Sequence, residues 1–480
     1  MKKLLLGTAL LLLLGTQVSA QNRQATRRAT DRRNAASPNI IYILADDLGY
    51  GNLTCYNPGG RVPTPHLDAM AKQGTRFTRF YAGSTVCAPS RCALMTGKHM
   101  GHAYVRGNGE IPLRTQDTTL AKRLKANGYA TGMFGKWGLG TQDSPGAPQV
   151  KGWDEFLGYL DHRHAHNYHT DHLWQVRKGT LSKLPLDSAT YTHDLIVGRA
   201  MEFIQENRDK PFFLYLPMTL VHAELGTTTA DLKPFLNAEG KSRFGAEKPY
   251  FKQRPPSLYA TQTQPHAAFA AMLTRLDSDV GNLLDLLKKL GLDENTYVVF
   301  TSDNGPHKEG GADPEFFDSN GPLRGIKRDL YEGGIRVPML VRGPGVPAGK
   351  VNDTPWANWD ILPTACALTG APVPGGIDGQ SMTGVLRGGS SAAGLQRPLF
   401  WQFNEGELRQ AVVLGDWKLI RFKKASQPER LELYDLSQDE GETNDLAARH
   451  PERVVGLRKS MNEAQQPAEH PLFDWRKEEL

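Results

Sequence analysis

The chain has 480 residues, too many for one small domain and enough for two or three. Hydrophobic residues make up 39% and charged residues 22%, which excludes a disordered protein and a bundle of membrane spans. The formal charge of +6 resides in the first 36 residues, where seven basic side chains face one acid. The remainder is balanced, so the folded body carries no nucleic-acid footprint.

In chain order, Lys2 and Lys3, the apolar run 4–14 and the small residues Val18, Ser19 and Ala20 follow the plan of a signal peptide over 1–20. The run is too short for a membrane span, so the mature protein is expected to be exported, periplasmic or secreted. Residues 21–37, rich in arginine, read as a flexible lead-in. Residues 39–45 are continuously apolar and stop at Asp46-Asp47. Helical periodicity follows at 65–74, 118–127 and 192–207. A second apolar run, 211–217, leads to His222. After a long helix over 266–290, a third run, 297–302, stops at Asp303-Asn304-Gly305. Strands apolar on both faces belong in helix-covered sheets, whose ligands sit beyond the strands' carboxyl ends. The fold class is α/β, with a large central mixed, mostly parallel sheet flanked by helices.

Near Gly370 the chain changes character. Pro372, Pro374, Gly375 and Gly376 form a linker-like stretch, and short alternating runs at 398–403, 410–414, 417–422 and 431–436 precede a late helix. These predict a main domain over 38–371 and a smaller C-terminal subdomain over 372–480, an antiparallel sheet plus helix. The four cysteines, Cys55, Cys87, Cys92 and Cys366, show no zinc-type spacing, and a chain this long buries a core without disulfides.

The most informative segment is Cys87-Ala88-Pro89-Ser90-Arg91-Cys92-Ala93-Leu94-Met95-Thr96-Gly97. Taken alone, Cys87 reads equally as a structural cysteine before a helix. Other motifs follow in order: Gly128-Tyr129-Ala130-Thr131-Gly132-Met133-Phe134-Gly135-Lys136-Trp137, then Thr301-Ser302-Asp303-Asn304-Gly305, then Gly325-Ile326-Lys327 ahead of Tyr331-Glu332-Gly333-Gly334-Ile335-Arg336-Val337-Pro338. With Asp46-Asp47 at the start, these motifs make the chain, from about residue 39 to about residue 446, resemble the type I sulfatase family and its alkaline-phosphatase-like fold.

The resemblance implies that 38–371 is the catalytic domain and that a maturation enzyme, reading the Pro and Arg positions, converts Cys87 to formylglycine. It implies a metal site of Asp46, Asp47, Asp303, Asn304 and an oxygen of modified Cys87. Clustered carboxylates ask for a cation in any case, since two of them about 4 Å apart repel by roughly 4 kcal/mol at an effective dielectric of ~20. An all-oxygen set favours Ca²⁺, with Mg²⁺ next. In the implied mechanism a hydroxyl of the hydrated aldehyde attacks sulfur, the alcohol leaves, and a base then releases sulfate. Arg91 orients the diol, Lys136 and Lys327 grip the sulfate, and His222 protonates the leaving oxygen.

One departure stands out. The family usually has a histidine after Gly-Lys-Trp, the partner of the diol, and this chain has Gly138. His102, and His166 in the histidine-rich run 161–172, are the expected replacements. Trp153, Tyr168, Trp174 and Arg106 suit a pocket for a sulfated sugar, and galactose or N-acetylgalactosamine sulfates are the implied substrates. Two alternatives stay open: a phosphonate or phosphate-ester hydrolase on the same scaffold, and a non-catalytic, calcium-stabilised glycan-binding relative.

Overall fold

The computed structural model describes residues 37–252, 259–390, 396–424 and 427–474. The signal-peptide reading and nearly all of the arginine-rich lead-in lie outside the described residues. A ten-stranded sheet carries the fold. Its centre is five parallel strands: β1 (Asn39–Ala45), β2 (Ala130–Lys136), β3 (Glu155–Tyr159), β4 (Phe212–Pro217) and β5 (Thr296–Ser302), in the spatial order β5-β1-β4-β2-β3. On the β5 side Met339–Arg342 and Thr75–Phe77 add in antiparallel steps, followed by Lys350–Asn352. On the β3 side His172–Arg177 and Thr180–Pro185 form an antiparallel border. The sheet is therefore mixed and mostly parallel, as expected. The apolar-run signal finds β1, β4 and β5; it misses β2 and β3, whose short runs are interrupted by glycine, and the short flanking strands.

β1 shows why this sheet is buried on both faces. Ile40, Tyr42 and Leu44 join a core with Cys92 and Leu94 of α2 (Cys87–Thr96), Leu120 and Leu124 of α3 (Leu120–Ala126), and Leu362 of α6 (Ile361–Thr369). Ile41, Ile43 and Ala45 join a second core with Leu67 of α1 (Pro65–Gln73), Phe203 of α4 (Thr192–Glu206) and Leu276 of α5 (Pro265–Lys289). Successive side chains point to opposite faces, so a strand between two helical layers must be apolar throughout. Among the described residues no helix is long and apolar enough to cross a membrane, and all four cysteines are free thiols.

The C-terminal strands β6 (Leu399–Asn404), β7 (Leu408–Leu414), β8 (Trp417–Lys423) and β9 (Arg430–Asp435) form the antiparallel sheet. Phe400, Val412, Leu419 and Leu433 on one face pack against Leu457 and Met461 of α7 (Pro451–Glu463). Trp401, Val413, Ile420 and Tyr434 on the other face belong to the same core as α2 and α6. This sheet thus shares the apolar core of the large one.

A buried ion cluster fastens the two sheets. Lys418 Nζ lies 2.9 Å from Glu332 Oε1 and 2.9 Å from Glu442 Oε1. The Glu332 N–H donates to Glu442 Oε2 at 2.6 Å. Burial, offset in part by Lys418, pushes the Glu442 carboxyl up to about 7. A carboxyl raised in this way holds, in the folded chain, a proton that the unfolded chain releases. Its stabilising contribution is present at acid pH and is lost as pH rises through about 7. Lys418→Met leaves Glu442 without its cation, while Glu332 keeps Arg336 and Tyr81, and should cost about 3–5 kcal/mol. Denaturant unfolding should show the deficit to be larger on the alkaline side of that pKa than on the acid side; an equal deficit at both would refute the coupling.

Candidate active site

Each of the five parallel strands delivers polar side chains to one edge. β1 runs into Asp46 and Asp47, β5 into Asp303 and Asn304, and β2 ends on Lys136, while β4 leads to His222 and β3 to His162. All of these are buried. Gly135 permits the close approach: at φ 133° its absent Cβ would sit 2.0 Å from the Pro217 carbonyl oxygen. The Asp47 N–H donates to Asp303 Oδ1 at 3.1 Å, tying the ends of β1 and β5 together.

α2 brings the motif to that edge. Cys87 is its first residue and Arg91 lies one turn on, so both side chains share a face. Pro89 falls in the first turn, where a missing N–H costs nothing, and Asn108 Oδ1 accepts the free N–H of Ala88 at 2.9 Å. Cys87 Sγ lies 3.2 Å from Asp46 Oδ1 and 3.9 Å from Asp47 Oδ1. Arg91 Nη2 donates to Asp303 Oδ2 at 2.8 Å and to Asp46 Oδ2 at 3.2 Å, and Nη1 donates to the Lys136 carbonyl at 2.6 Å. Lys136 Nζ lies 2.7 Å from Asp46 Oδ2, and Lys327 Nζ lies 2.8 Å from Asp47 Oδ2.

Three buried carboxylates thus meet three buried cations. Burial opposes ionisation of Asp46, yet Lys136 and Arg91 hold its carboxyl well below the usual range. Burial and the Asp46 charge push Asp303 up to about 7. Burial, then Asp46, pushes the Cys87 thiol well above its ordinary value. An unconverted Cys87 is therefore a protonated thiol and a poor nucleophile.

Ligand atoms of Asp46, Asp47, Cys87 and His222 all lie within 4.8 Å of one another. Asn304 Nδ2 donates to Asp47 Oδ1 at 2.6 Å, which leaves its buried Oδ1 without a hydrogen-bond partner. An orphaned amide oxygen beside carboxylates fits a hard divalent cation, and an oxygen at position 87 would complete an oxygen set.

His222 borders the other side of the cluster. Its Nε2 lies 3.0 Å from Lys327 Nζ and 3.2 Å from Asp47 Oδ2. Its ring is stacked on His166, with centroids 4.6 Å apart, and on His307 at 5.2 Å. Burial, then the Lys327 charge, holds the His222 imidazole well below its usual pKa. Glu309 closes the rim: Oε2 accepts from Tyr259 Oη at 2.7 Å and Lys327 Nζ at 3.3 Å, and Oε1 accepts from Arg328 at 2.6 Å. Sequence reasoning missed Glu309, His307 and Tyr259, which stand on irregular loops that carry no periodic signal.

The structure brings together Asp46, Asp47, Cys87, Arg91, Lys136, His222, Asp303, Asn304 and Lys327. His166 joins by stacking, with its Nδ1 unpartnered. Other expected residues have their side chains engaged elsewhere. His102 Nδ1 pairs with Asp378 Oδ1 at 2.7 Å and its ring stacks on His99. Arg106 is spent on the carbonyls of Ala103, Gly101 and Gln466, so it ties its loop to the C-terminal segment. Trp153 is buried and stacked on Phe213 and Tyr215, and buried Tyr168 donates its hydroxyl to the Thr219 and His222 carbonyls. Trp174 is partly exposed beneath the Lys183 ammonium. A sugar pocket cannot use the faces of Trp153 and Tyr168.

Comparison with known proteins agrees with this geometry. The profile described as Sulfatase matches residues 38–371, and that described as N-sulphoglucosamine sulphohydrolase, C-terminal, matches 326–466. The N-acetylgalactosamine-6-O-sulfatase of Bacteroides thetaiotaomicron is 30% identical, over 95% of this chain and 96% of that one. The N-acetylgalactosamine-6-sulfatase of Canis lupus familiaris is 31% identical, over 79% of this chain and 71% of its own. The structure of Ps i-CgsB in complex with k-i-k-neocarrahexaose aligns with a TM-score of 0.74 at 27% identity, covering 92% of this chain and 97% of that one. A strand-end cluster of carboxylates, lysines and a motif cysteine, in a chain matched over most of its length, places this protein in the sulfatase family of sulfuric ester hydrolases.

Proposed function

We propose that this sulfatase hydrolyses a sulfate ester on a galactose or N-acetylgalactosamine unit of a glycan. The observation that carries the reading is the juxtaposition of Cys87 with three carboxylates, two buried lysines and His222. Relatives named for N-acetylgalactosamine 6-sulfate, and one solved with a neocarrahexaose, support the sugar class. We further read the protein as exported through its N-terminal signal and matured by an enzyme that acts on the Cys87 motif.

Conversion of Cys87 to formylglycine supplies an oxygen nucleophile in place of the protonated thiol. A divalent ion, Ca²⁺ by preference, would be held by Asp46, Asp47, Asp303 and Asn304 and would polarise oxygens at sulfur and at residue 87. The chain's own groups do the rest. Arg91, anchored on Asp303 and on the Lys136 carbonyl, orients the side chain at position 87. Lys136, held on Asp46, and Lys327, held on Asp47, offer ammonium groups to the sulfate oxygens, a preorganised clamp of the kind that supplies the largest share of catalysis. His222 is held neutral with its Nε2 3.0 Å from the Lys327 ammonium, so the proton for the departing sugar oxygen starts on Lys327 and passes by way of this ring.

Mass spectrometry of the peptide spanning Cys87 should show the mass of an aldehyde in place of the thiol. Cys87→Ala should abolish turnover. Sulfate esters should be released in preference to phosphate esters in direct competition; a preference for phosphate would favour the phosphate-ester alternative.

The metal reading is tested separately. Calcium added to stripped protein at a hundred times its dissociation constant should stabilise the fold by about 2.7 kcal/mol, seen as a rise in unfolding temperature. Asn304→Leu should abolish most of that rise. An undiminished shift in the variant would place the ion elsewhere.

A further inference from the structure

Gly138 follows the end of β2, and its backbone takes a φ of 74°. The parallel ladder between β2 and β3 continues past both strands: the Trp137 N–H donates to the Tyr159 carbonyl at 2.9 Å and the Gly138 N–H to the Leu160 carbonyl at 3.0 Å. That extension sets His162, two residues on, directly over Gly138. A Cβ at 138 would lie 2.7 Å from His162 Cε1 and 3.1 Å from its Nε2. The imidazole of His162 therefore fills the side-chain space that Gly138 leaves open.

His162 is 7% exposed, and neither ring nitrogen has a hydrogen-bond partner in the protein. Two orphaned nitrogens on one buried ring are costly, and native proteins keep such groups where a ligand or a reacting group meets them. The charged and titratable groups that act on the ring are Lys136 at the end of β2, Arg91 of α2, Asp46 beyond β1 and His166 of its own loop. Lys136 and Asp46 also act on Cys87, so the ring shares the electrostatic neighbourhood of the motif cysteine. Burial, then the Lys136 and Arg91 charges, keep the ring neutral, and its two unpartnered nitrogens leave a place for a proton.

We propose that His162 is the proton acceptor for residue 87, receiving the hydroxyl proton of the converted side chain as sulfate is expelled. The assignment rests on the formylglycine reading above. In this step the C–O bond to sulfate breaks with its electron pair on oxygen, and the carbonyl re-forms from the remaining hydroxyl. The hydroxyl proton passes to a His162 nitrogen, sulfate leaves as the dianion, and the imidazolium returns the proton to water. His222, beside Lys327 and Glu309, serves the departing sugar oxygen, so the two imidazoles divide the proton transfers.

The test uses full-length, matured enzyme carrying His162→Ala or His162→Gln, the latter keeping bulk and hydrogen bonding but not a titratable nitrogen. Both variants should lose about a hundredfold or more in kcat, with KM falling alongside, because kcat/KM ends at transfer to residue 87 and is untouched by a slower breakdown. Protein quenched during turnover and analysed by peptide mass spectrometry should retain a sulfo group on the residue-87 peptide, which wild type should not. Should His162→Ala fail to fold, His162→Gln alone decides. Near wild-type turnover in His162→Gln, or a slowed variant whose residue-87 peptide is bare, overturns the assignment. An active wild type with unconverted Cys87 overturns the formylglycine reading itself, and this inference with it.

Discussion

The structure depends on keeping three carboxylates ionisable in a place with almost no water. Asp46, Asp47 and Asp303 are fully buried at the sheet's carboxyl edge. Unpaired, charges buried in this way would outweigh the stability of a typical domain. The chain meets the cost by setting Arg91 and Lys136 on Asp46, Lys327 on Asp47, and Arg91 again on Asp303. Much local detail follows from this. Arg91 must stand one helical turn beyond Cys87, Lys136 must be the last residue of its strand, and Gly135 must leave room beside Pro217.

The balance of that cluster also bears on its chemistry. Three acids and three bases leave the bare site close to neutral, so a bound divalent ion would turn it positive. A positive, buried site favours a monoanionic sulfate ester and the charge that develops on its oxygens. Burial and the lysines both disfavour imidazolium at His222 and His162. Histidines held neutral around fixed cations can exchange protons with a substrate without disturbing the ion pairs.

Distant parts of the chain support the same edge. The segment carrying Lys327 is braced from the C-terminal side: Arg409 donates to the Arg328 carbonyl at 2.6 Å, and Arg324 to the Glu442 carbonyl at 2.8 Å. Lys418 pairs with Glu332 just downstream. The small sheet thus acts on the site through the backbone of 324–332. Its shared apolar core explains why an antiparallel sheet of four strands can be so firmly seated.

Helices α1, α3, α4 and α5, strands β1, β4 and β5 and the C-terminal strands were legible in the sequence because their periodicities are local and strong, whereas β2, β3 and α6 were not. The residues at strand ends were legible because each continues a motif: Asp46-Asp47 after 39–45, Asp303-Asn304 after 297–302, Arg91 one turn beyond Cys87. What could not be read were the roles that depend on which strands lie side by side. His162 and Gly138 are 24 positions apart, and only the β2–β3 ladder sets one over the other. His102 and Arg106 sit close to the motif in sequence, yet Asp378 and distant backbone carbonyls claim them. Glu309 meets Lys327 only because two loops converge above the sheet. Composition and periodicity by themselves determined the fold class, and the ordered motifs carried the resemblance to the sulfatase family, since each is written in contiguous residues. Tertiary structure alone decided which histidines face the site, because that depends on strand order and loop convergence, which no contiguous stretch of sequence encodes.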